Sequence, residues 1–374
     1  MKVDYINNTF FRELFKLVHT IGKKLMPAFV LNLIAEQRFY FLYKYAFDKK
    51  LEQQIKDSPT LSGKIVDDIQ KKYNLKCRWA AVMVSFNDRP SKEYISEAFY
   101  YSQVLPRMNN LKFVKTYTDK NLYHRYTWGD LTPDVVIRKI SGRYFNAVYD
   151  PIQEAEAKEL IAHFDDDFVI KPAIESGSGV NVWVGSQKEA VRELALRHSE
   201  KDLVVQPRLR NHPSIAFFNP SSVNTFKIMT AFDGENYINI GGHLRMGRAG
   251  SYTDNRGSGG IAVGIQDDGA MCDFALGPGF EKLHEHPDHK IVFKGHRFER
   301  YPEIVDLCCS LHRYFPHFGM IGWDATIDHQ AKIRIIELNI SWHGIQVTQA
   351  AHGPLFGAHK DKLKKTYGIP DWES

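Results

Sequence analysis

The sequence predicts an α+β protein, helical at its N-terminal end and strand-rich from Phe168 onward. Three observations carry this. Phe11, Leu14, Phe15 and Val18 recur at helical spacing, β-branched and aromatic runs bounded by turn residues recur after Phe168, and only two helical stretches interrupt those runs.

Taken in order, the first hundred residues read as helices divided by the turn signals Asp57-Ser58-Pro59 and Asn87-Asp88-Arg89-Pro90. The aromatic stretch Phe39 to Phe47 is expected to bury against a neighbour. From about Ala80 the pattern changes. Val104 to Val114 leads to Thr118-Asp119-Lys120, a helix to Tyr126, the turn Thr132-Pro133-Asp134 and a strand from Val135 to Ile137. A helix through Pro151 to Phe164 ends at Asp165 to Asp167, which hand over to the strand Phe168 to Lys171. Further strands are expected at Val180–Val184, Leu203–Gln206, Thr225–Phe232, Tyr237–Met246, Gly260–Ile265, Gly319–Ile327 and Ile333–Ile340. The two interrupting helices are Gln187 to His198 and Pro302 to Phe315.

With 374 residues, 43% hydrophobic and 25% charged, the chain can bury a substantial core and is neither disordered nor membrane-spanning in composition. No segment offers the ~20 apolar residues a spanning helix needs. The longest candidate, Leu25 to Ala35, contains Pro27 and Asn32, and Met1 to Gly22 has no continuous apolar run of the kind a signal peptide carries. Cys77, Cys272, Cys308 and Cys309 lack metal-ligand spacing and read as reduced thiols, so a cytoplasmic location is expected. The net charge of +5 is uneven, because residues 1 to 80 hold fifteen Lys and Arg against eight Asp and Glu. That basic segment could be a solvated helical face, meet an acidic saccharide or make peripheral contact with anionic lipid. Nucleic acid is not expected as a partner, since no recognised binding motif accompanies the charge.

Two stretches point to chemistry. In FVIKPAIESGSGVNV, a buried strand ends at Lys171-Pro172, and a loop of Glu175, Ser176, Gly177, Ser178 and Gly179 follows. Small residues let backbone N–H groups approach phosphate oxygens, and a lysine at the strand end can neutralise them. The segment is no Walker loop, which would place Gly-Lys-Ser/Thr at a helix start. In GWDATIDHQAKIRIIELNISW, two strands flank a turn around His329 and Gln330. If Asp328 pairs with Ile333, Asp324 falls directly opposite Glu337. Asn339 then shares their face, while Arg334, Ile336 and Leu338 point the other way. Opposed Cβ atoms lie about 4.5–5.5 Å apart, so two carboxylates and an amide converge, which is repulsive unless a cation joins them. An all-oxygen set of this kind suits Mg²⁺, which is held by one or two carboxylates plus substrate phosphates.

Together with the upstream Asp119-Lys120, these stretches resemble the ATP-grasp superfamily, to which D-alanyl-D-alanine ligase and carbamoyl phosphate synthetase belong. The series VVQPRLRNHPSIA, SVNTFKIMT, LRMGRAGSYTDNRGSGGIA and IGWDATI looks like the branch associated with sugar transfer and polysaccharide biosynthesis, over roughly Ser96 to Gly357. The resemblance implies an ATP-grasp fold, two α+β lobes sandwiching ATP, behind a helical N-terminal region. It divides the chain into 1–95 (basic and mainly helical), 96–165 (a pre-grasp segment), 166–208 (the small lobe with its glycine lid) and 209–374 (the large lobe with the metal and acceptor site).

Carried over residue by residue, the resemblance implies that Lys120 and Lys171 contact the α- and β-phosphates and that Ser176 to Gly179, preceded by Glu175, close as a lid. Val204 to Leu209, with Gln206, Pro207, Arg208 and Leu209 binding the cofactor, would be the hinge whose backbone reads adenine, although the commonest pattern has an acidic residue where Gln206 stands. Lys227 and Arg245 would face the γ-phosphate, Asp324, Glu337 and Asn339 would hold Mg²⁺, and Arg248, Asp254 and Asn255 would meet the acceptor. The implied activity is an ATP-dependent, ADP-forming carboxylate–amine ligase acting through an acylphosphate. Its substrates would be a small molecule, nucleotide sugar or glycan bearing a carboxylate, together with an amine. Alternatives are a kinase acting on a sugar hydroxyl, with His243, His286 or His343 as candidate bases, and a non-catalytic nucleotide-binding scaffold.

Overall fold

The computed structural model describes residues 44–126, 129–174, 179, 181–248 and 250–372. The expected helical stripe Phe11 to Val18, most of the aromatic stretch before Phe47, and the loop residues Glu175, Ser176, Gly177 and Ser178 lie outside the described residues.

Helices α1 (44–57), α2 (Gly63–Tyr73) and α3 (Arg78–Asn87) come first; α1 and α3 end at the two expected turns, and the break between α2 and α3 at Asn74 to Cys77 is an additional one. Ser62 caps α2 through its side chain, and α2 and α3 end in Asn74 and Asp88, both in the left-handed conformation that short polar residues tolerate. Seven consecutive residues of α3, from Arg78 onward, include six fully buried apolar ones, which pack with Phe274, Phe280 and Val347 in a core of their own.

Two antiparallel sheets form the rest. The first holds β1 (Ile137–Ile140), β2 (Arg143–Phe145), β3 (Pro151–Ile152), β4 (Asp167–Pro172), β5 (Trp183–Ser186) and β6 (Leu203–Pro207), in the order β3-β2-β1-β6-β4-β5. Helices α4 (Glu154–Ala162) and α5 (Gln187–Leu196) cover one face through Ile137, Phe168, Ile170 and Leu203. Ser186 and Glu189 form a capping box that starts α5. Because side chains alternate, the other face of this sheet carries Arg138, Lys171, Val204 and Gln206.

The second sheet holds β7 (Thr225–Phe232), β8 (Tyr237–Met246), β9 (Ile261–Ile265), β10 (Met271–Leu276), β11 (Lys282–Leu283), β12 (Met320–Ile327) and β13 (Ile333–Asn339), in the order β11-β10-β9-β8-β7-β12-β13. Helix α6 (Tyr301–His312) covers one face, over Phe226, Ile228, Leu244, Ile321 and Trp323. Helices α7 (Ile345–His352) and α8 (Lys360–Tyr367) follow β13, and neither was expected from the sequence.

Several expectations shift. The segment to Tyr126 is turns and a single 3-10 turn, Tyr123–Arg125, instead of a longer helix. The strand expected at Val135 begins at Ile137, and the helix expected from Pro151 begins at Glu154 because Pro151 and Ile152 pair with β2. Thr225–Phe232 and Tyr237–Met246 fall where the alternation puts them. All four cysteines are free.

Candidate active site

The late hairpin positions the carboxylates. Gly322 pairs with Asn339, Trp323 with Leu338 and Asp324 with Glu337, so the expected opposition of Asp324 and Glu337 is present. The register next to the turn differs, however, since Ile327 and not Asp328 pairs with Ile333. A bulge between Asp324 and Ala325, facing the unpaired Ile336, absorbs the one-residue offset. The bulge also corrects the facing expected for β13. Ile333, Ile335, Leu338 and Ile340 all join the core under α6, whereas Ile336 lines the cleft with Lys120, Lys171 and Gln206. Arg334 likewise turns from the core, and its guanidinium binds Asp328 and the carbonyls of Asp130 and Thr132.

Across the next strand Lys227 pairs with Asp324, and across β7 and β8 Thr225 pairs with Arg245. The result is a row of charge along one face of the sheet. Lys227 Nζ lies 3.2 Å from Asp324 Oδ1, an ion-pair separation without an aligned hydrogen bond. Arg245 Nη2 donates to Asp324 Oδ2 at 2.8 Å and to Thr225 Oγ1 at 2.8 Å, its Nε faces Asp254 at 3.3 Å, and its Nη1 donates to Asn255 Oδ1 at 3.3 Å. Thr225 Oγ1 in turn donates to Asp254. Thr225 carried no expectation; the alternation T-F-K places it on the face of Lys227 and could have found it.

The first sheet brings the remaining cations. The Lys120 backbone N–H donates to Ala173 O, just past the end of β4, and its Nζ meets Glu337 Oε1 at 3.0 Å, tying the two sheets together. Lys171 stands beside it, and among the described residues no carboxylate lies within ion-pair distance of Lys171. Burial and the neighbouring Lys120, partly offset by Glu337, bring the Lys171 ammonium down to about 8. Burial works against ionisation of Asp324, but Arg245 and Lys227 outweigh it and pull its carboxyl down to about 2. Asp254, also buried, is shifted up despite Arg245. Lys227 is shifted down by burial, with Asp324 opposing.

The oxygen set fits a hard cation. Asp324 Oδ1 is buried without a hydrogen bond, and the Asn339 amide nitrogen is buried and unpartnered, so a half-turn of that amide would present its oxygen instead. Among the described residues no three His, Cys, Asp or Glu cluster in a way that could hold a metal by themselves. Two carboxylates completed by substrate phosphates are what Mg²⁺ accepts, so the residues fit it.

Gln206 Nε2 donates to Pro133 O at 3.2 Å, on the wall of a cleft lined by Lys120, Lys171, Pro133, Val135 and Ile336. The enclosed part of that cleft holds about 10 Å³, room for one water. Pro207 and Leu209 continue the edge, and Arg208 is held by Asp167, Ser221 O and the Tyr252 ring. Gly179, the described end of the glycine loop, has φ +74°, and a Cβ there would come 3.1 Å from Thr253 Cγ2. Gly179 therefore packs against Thr253 and Asn255, where an added Cβ would crowd Thr253 and the positive φ would strain any other residue. Arg248 lies apart from this network, with Nε 4.0 Å from Asp288. Of the candidate bases, His343 Nδ1 pairs with Tyr100 OH and His286 Nε2 with Gly247 O, while His243 is buried on the strand position opposite Lys227 with Nδ1 unpartnered.

A model of the sugar-transfer associated ATP-grasp family matches residues 102–365, and the chain belongs to that family. No curated protein sequence matches significantly. Solved structures that resemble it include the biotin carboxylase domain of Hydrogenobacter thermophilus 2-oxoglutarate carboxylase (13% identity, 69% of this chain and 47% of that one, TM-score 0.44). D-alanyl-alanine synthetase A from Vibrio cholerae (9%, 68% and 66%, 0.41) and the D-alanine-D-alanine ligase from Coxiella burnetii (13%, 70% and 60%, 0.39) are others. The chain thus spans about half to two thirds of the length of these proteins.

Proposed function

We propose that the protein is a cytoplasmic ATP-dependent carboxylate–amine ligase that forms an acylphosphate and amidates a sugar acid, or joins an amino acid or amine to one, during surface polysaccharide assembly. One observation carries the reading beyond family membership. Lys120, Lys171, Lys227 and Arg245 converge from both sheets on Asp254, Asp324 and Glu337, so four cations face three carboxylates. The excess positive charge suits a polyphosphate and would be wasteful at an ordinary structural site.

In this reading Lys120 and Lys171 bind the α- and β-phosphates. Gln206 to Leu209 border the adenine. Asp324, Glu337 and Asn339 hold Mg²⁺, which when bound neutralises and orients the phosphate oxygens. Lys227 and Arg245 lie where charge would grow during transfer, and phosphoryl transfer asks a protein mainly for positioning and charge neutralisation. As the acceptor carboxylate attacks, ADP leaves. An amine then attacks the acylphosphate carbon, phosphate departs, and the amine loses a proton. Asp254 and Asn255 bind Arg245 directly, so they orient that guanidinium toward the acceptor, with Arg248 farther out. Glu175 to Gly179 exclude water while the acylphosphate lasts.

The test is purified protein with MgATP, a uronic acid or its nucleotide sugar, and a panel of amines, read by mass spectrometry and phosphate release. An amide with stoichiometric ADP and phosphate is expected. ADP without free phosphate, with a phosphorylated sugar, would instead establish a kinase, and no ADP with any acceptor would overturn both.

A further inference from the structure

Arg138 is an unusual residue to find in a small sheet. In the run I-R-K-I of β1, Ile137 faces the helices, so Arg138 must face the cleft, and it pairs with Val204, the residue that Lys171 pairs with from the other side. Its side chain is fully buried, yet no carboxylate lies within ion-pair distance among the described residues. Its Nη1 donates to Asn121 O at 3.0 Å, its guanidinium covers the Tyr149 ring at 4.4 Å, and Nε and Nη2 have no hydrogen-bond partner among the described residues. Arg125 covers the same ring at 4.2 Å. Leaving a guanidinium buried and half-satisfied is costly, so the fold must use it for something.

Its one hydrogen bond shows where. Asn121 O also accepts from Tyr149 OH at 2.6 Å, and Asn121 N–H donates to Asp119 Oδ1 at 2.9 Å. The Asn121 side chain bonds Lys139 O on β1. The residue before it is Lys120, whose own N–H is fixed on Ala173 O. The turn that aims Lys120 is therefore held at β4 on one side and by Arg138 with Tyr149 on the other.

We infer that Arg138, with Tyr149, is a positioning residue for the phosphate-binding lysines: it fixes the Asp119–Asn121 turn and adds a buried positive charge behind Lys120 and Lys171 that a nucleoside polyphosphate answers. The inference rests on the nucleotide reading above. It requires no contact between Arg138 and the nucleotide. A charge buried in the low-dielectric sheet acts on phosphates beyond contact distance, and with Asp119 near but outside ion-pair distance it is offset only in part.

The experiment compares MgATP and adenosine affinities of the full chain by calorimetry. Arg138→Met, of similar length and uncharged, should weaken MgATP by about tenfold or more, equivalent to about 1.4 kcal/mol. Adenosine, which has no phosphates, should bind within about twofold of wild type, because the adenine wall is untouched. Tyr149→Phe, which keeps the ring and loses one bond to Asn121 O, should lose MgATP affinity to a smaller extent. Parallel losses for both ligands would mean a merely structural role and overturn the inference, as would unchanged MgATP binding in Arg138→Met. If that variant does not fold, the uncharged but polar Arg138→Gln asks the same question: a loss confined to MgATP supports the inference, and an equal loss for adenosine, or no loss for either ligand, overturns it. Wild type that binds no MgATP would sink the proposed function itself, whereas normal wild-type binding with an indifferent Arg138→Met sinks this inference alone.

Discussion

The two sheets present charge to the cleft in opposite ways. On the seven-stranded sheet, Lys227 and Arg245 are matched against Asp324 of the same sheet and Asp254 of the loop that follows β8. On the six-stranded sheet, the half-buried Lys171 and the buried Arg138 have no carboxylate at ion-pair distance among the described residues. The first arrangement is self-sufficient and contributes to folding. The second carries a desolvation cost that a bound anion would offset. The difference separates stability from binding, and it can be broken by substitution.

The largest effect should come from Asp324→Asn. Removing that charge leaves Lys227 and Arg245 buried with less than their counter-charge, and breaking a buried pair from one side costs about 3–5 kcal/mol. Denaturant unfolding of the unliganded protein checks this, and a loss below about 1 kcal/mol would show that the network is not self-sufficient after all. Acid should reproduce the effect. Because the Asp324 carboxyl is held down at about 2, its contribution is complete above the unfolded value near pH 4 and is lost as pH falls toward 2.

Lys171→Met should do the reverse. The variant no longer pays to bury an ammonium, so unliganded stability should stay level or rise, while MgATP affinity should fall about 30-fold, or about 2 kcal/mol. A melting temperature that drops as far as that of Asp324→Asn would erase the distinction between the sheets. A smaller effect follows from the same lysine in the wild type. With its ammonium brought down to about 8, Lys171 is cationic at neutral pH and loses its proton above that. Phosphate binding favours the protonated form, so MgATP affinity should hold level up to about pH 8 and then weaken by up to about tenfold per pH unit. Lys171→Arg, which does not deprotonate in this range, should flatten the profile.

Much of the self-sufficient sheet was legible in the sequence, because it is written in alternation. Thr225–Phe232 and Tyr237–Met246 have long apolar faces, and the opposition of Asp324 to Glu337 follows from the spacing of a hairpin. Even so, the pairing rests on a bulge at Ile336 that no turn residue signals, and the same bulge turned Ile336 toward the cleft against expectation. Helix α7 was missed because its N-cap is Gly344, which offers no side chain, and its IQVT start reads as strand. Strand β10 is six residues long with the exposed Asp273 inside it. The six-stranded sheet was harder to read for a different reason. Arg138 and Lys139 are neighbours of similar type, yet Arg138 faces the cleft while Lys139 reaches Arg197 O and His198 O at the end of α5. Which of two adjacent cations is functional depends on where the loop at Asn121 comes to rest, and that is settled by contacts distant in sequence.

Glu337 provides the finest test, because it is the carboxylate of the seven-stranded sheet whose cation, Lys120, is fixed to the other sheet. It therefore belongs to both arrangements, and its replacement should have opposite signs under different conditions. In Glu337→Gln, Lys120 loses Glu337 as a competitor for the phosphates, so ATP in excess EDTA should bind several-fold more tightly, by about 1 kcal/mol for a partly buried pair. With Mg²⁺ present the same variant should lose that gain, since the carboxylate it lacks is one of the two the ion would use. Affinities measured with and without Mg²⁺ decide the point. Weaker binding in both conditions would mean that the Lys120–Glu337 pair holds the cleft in shape and does not compete with the nucleotide.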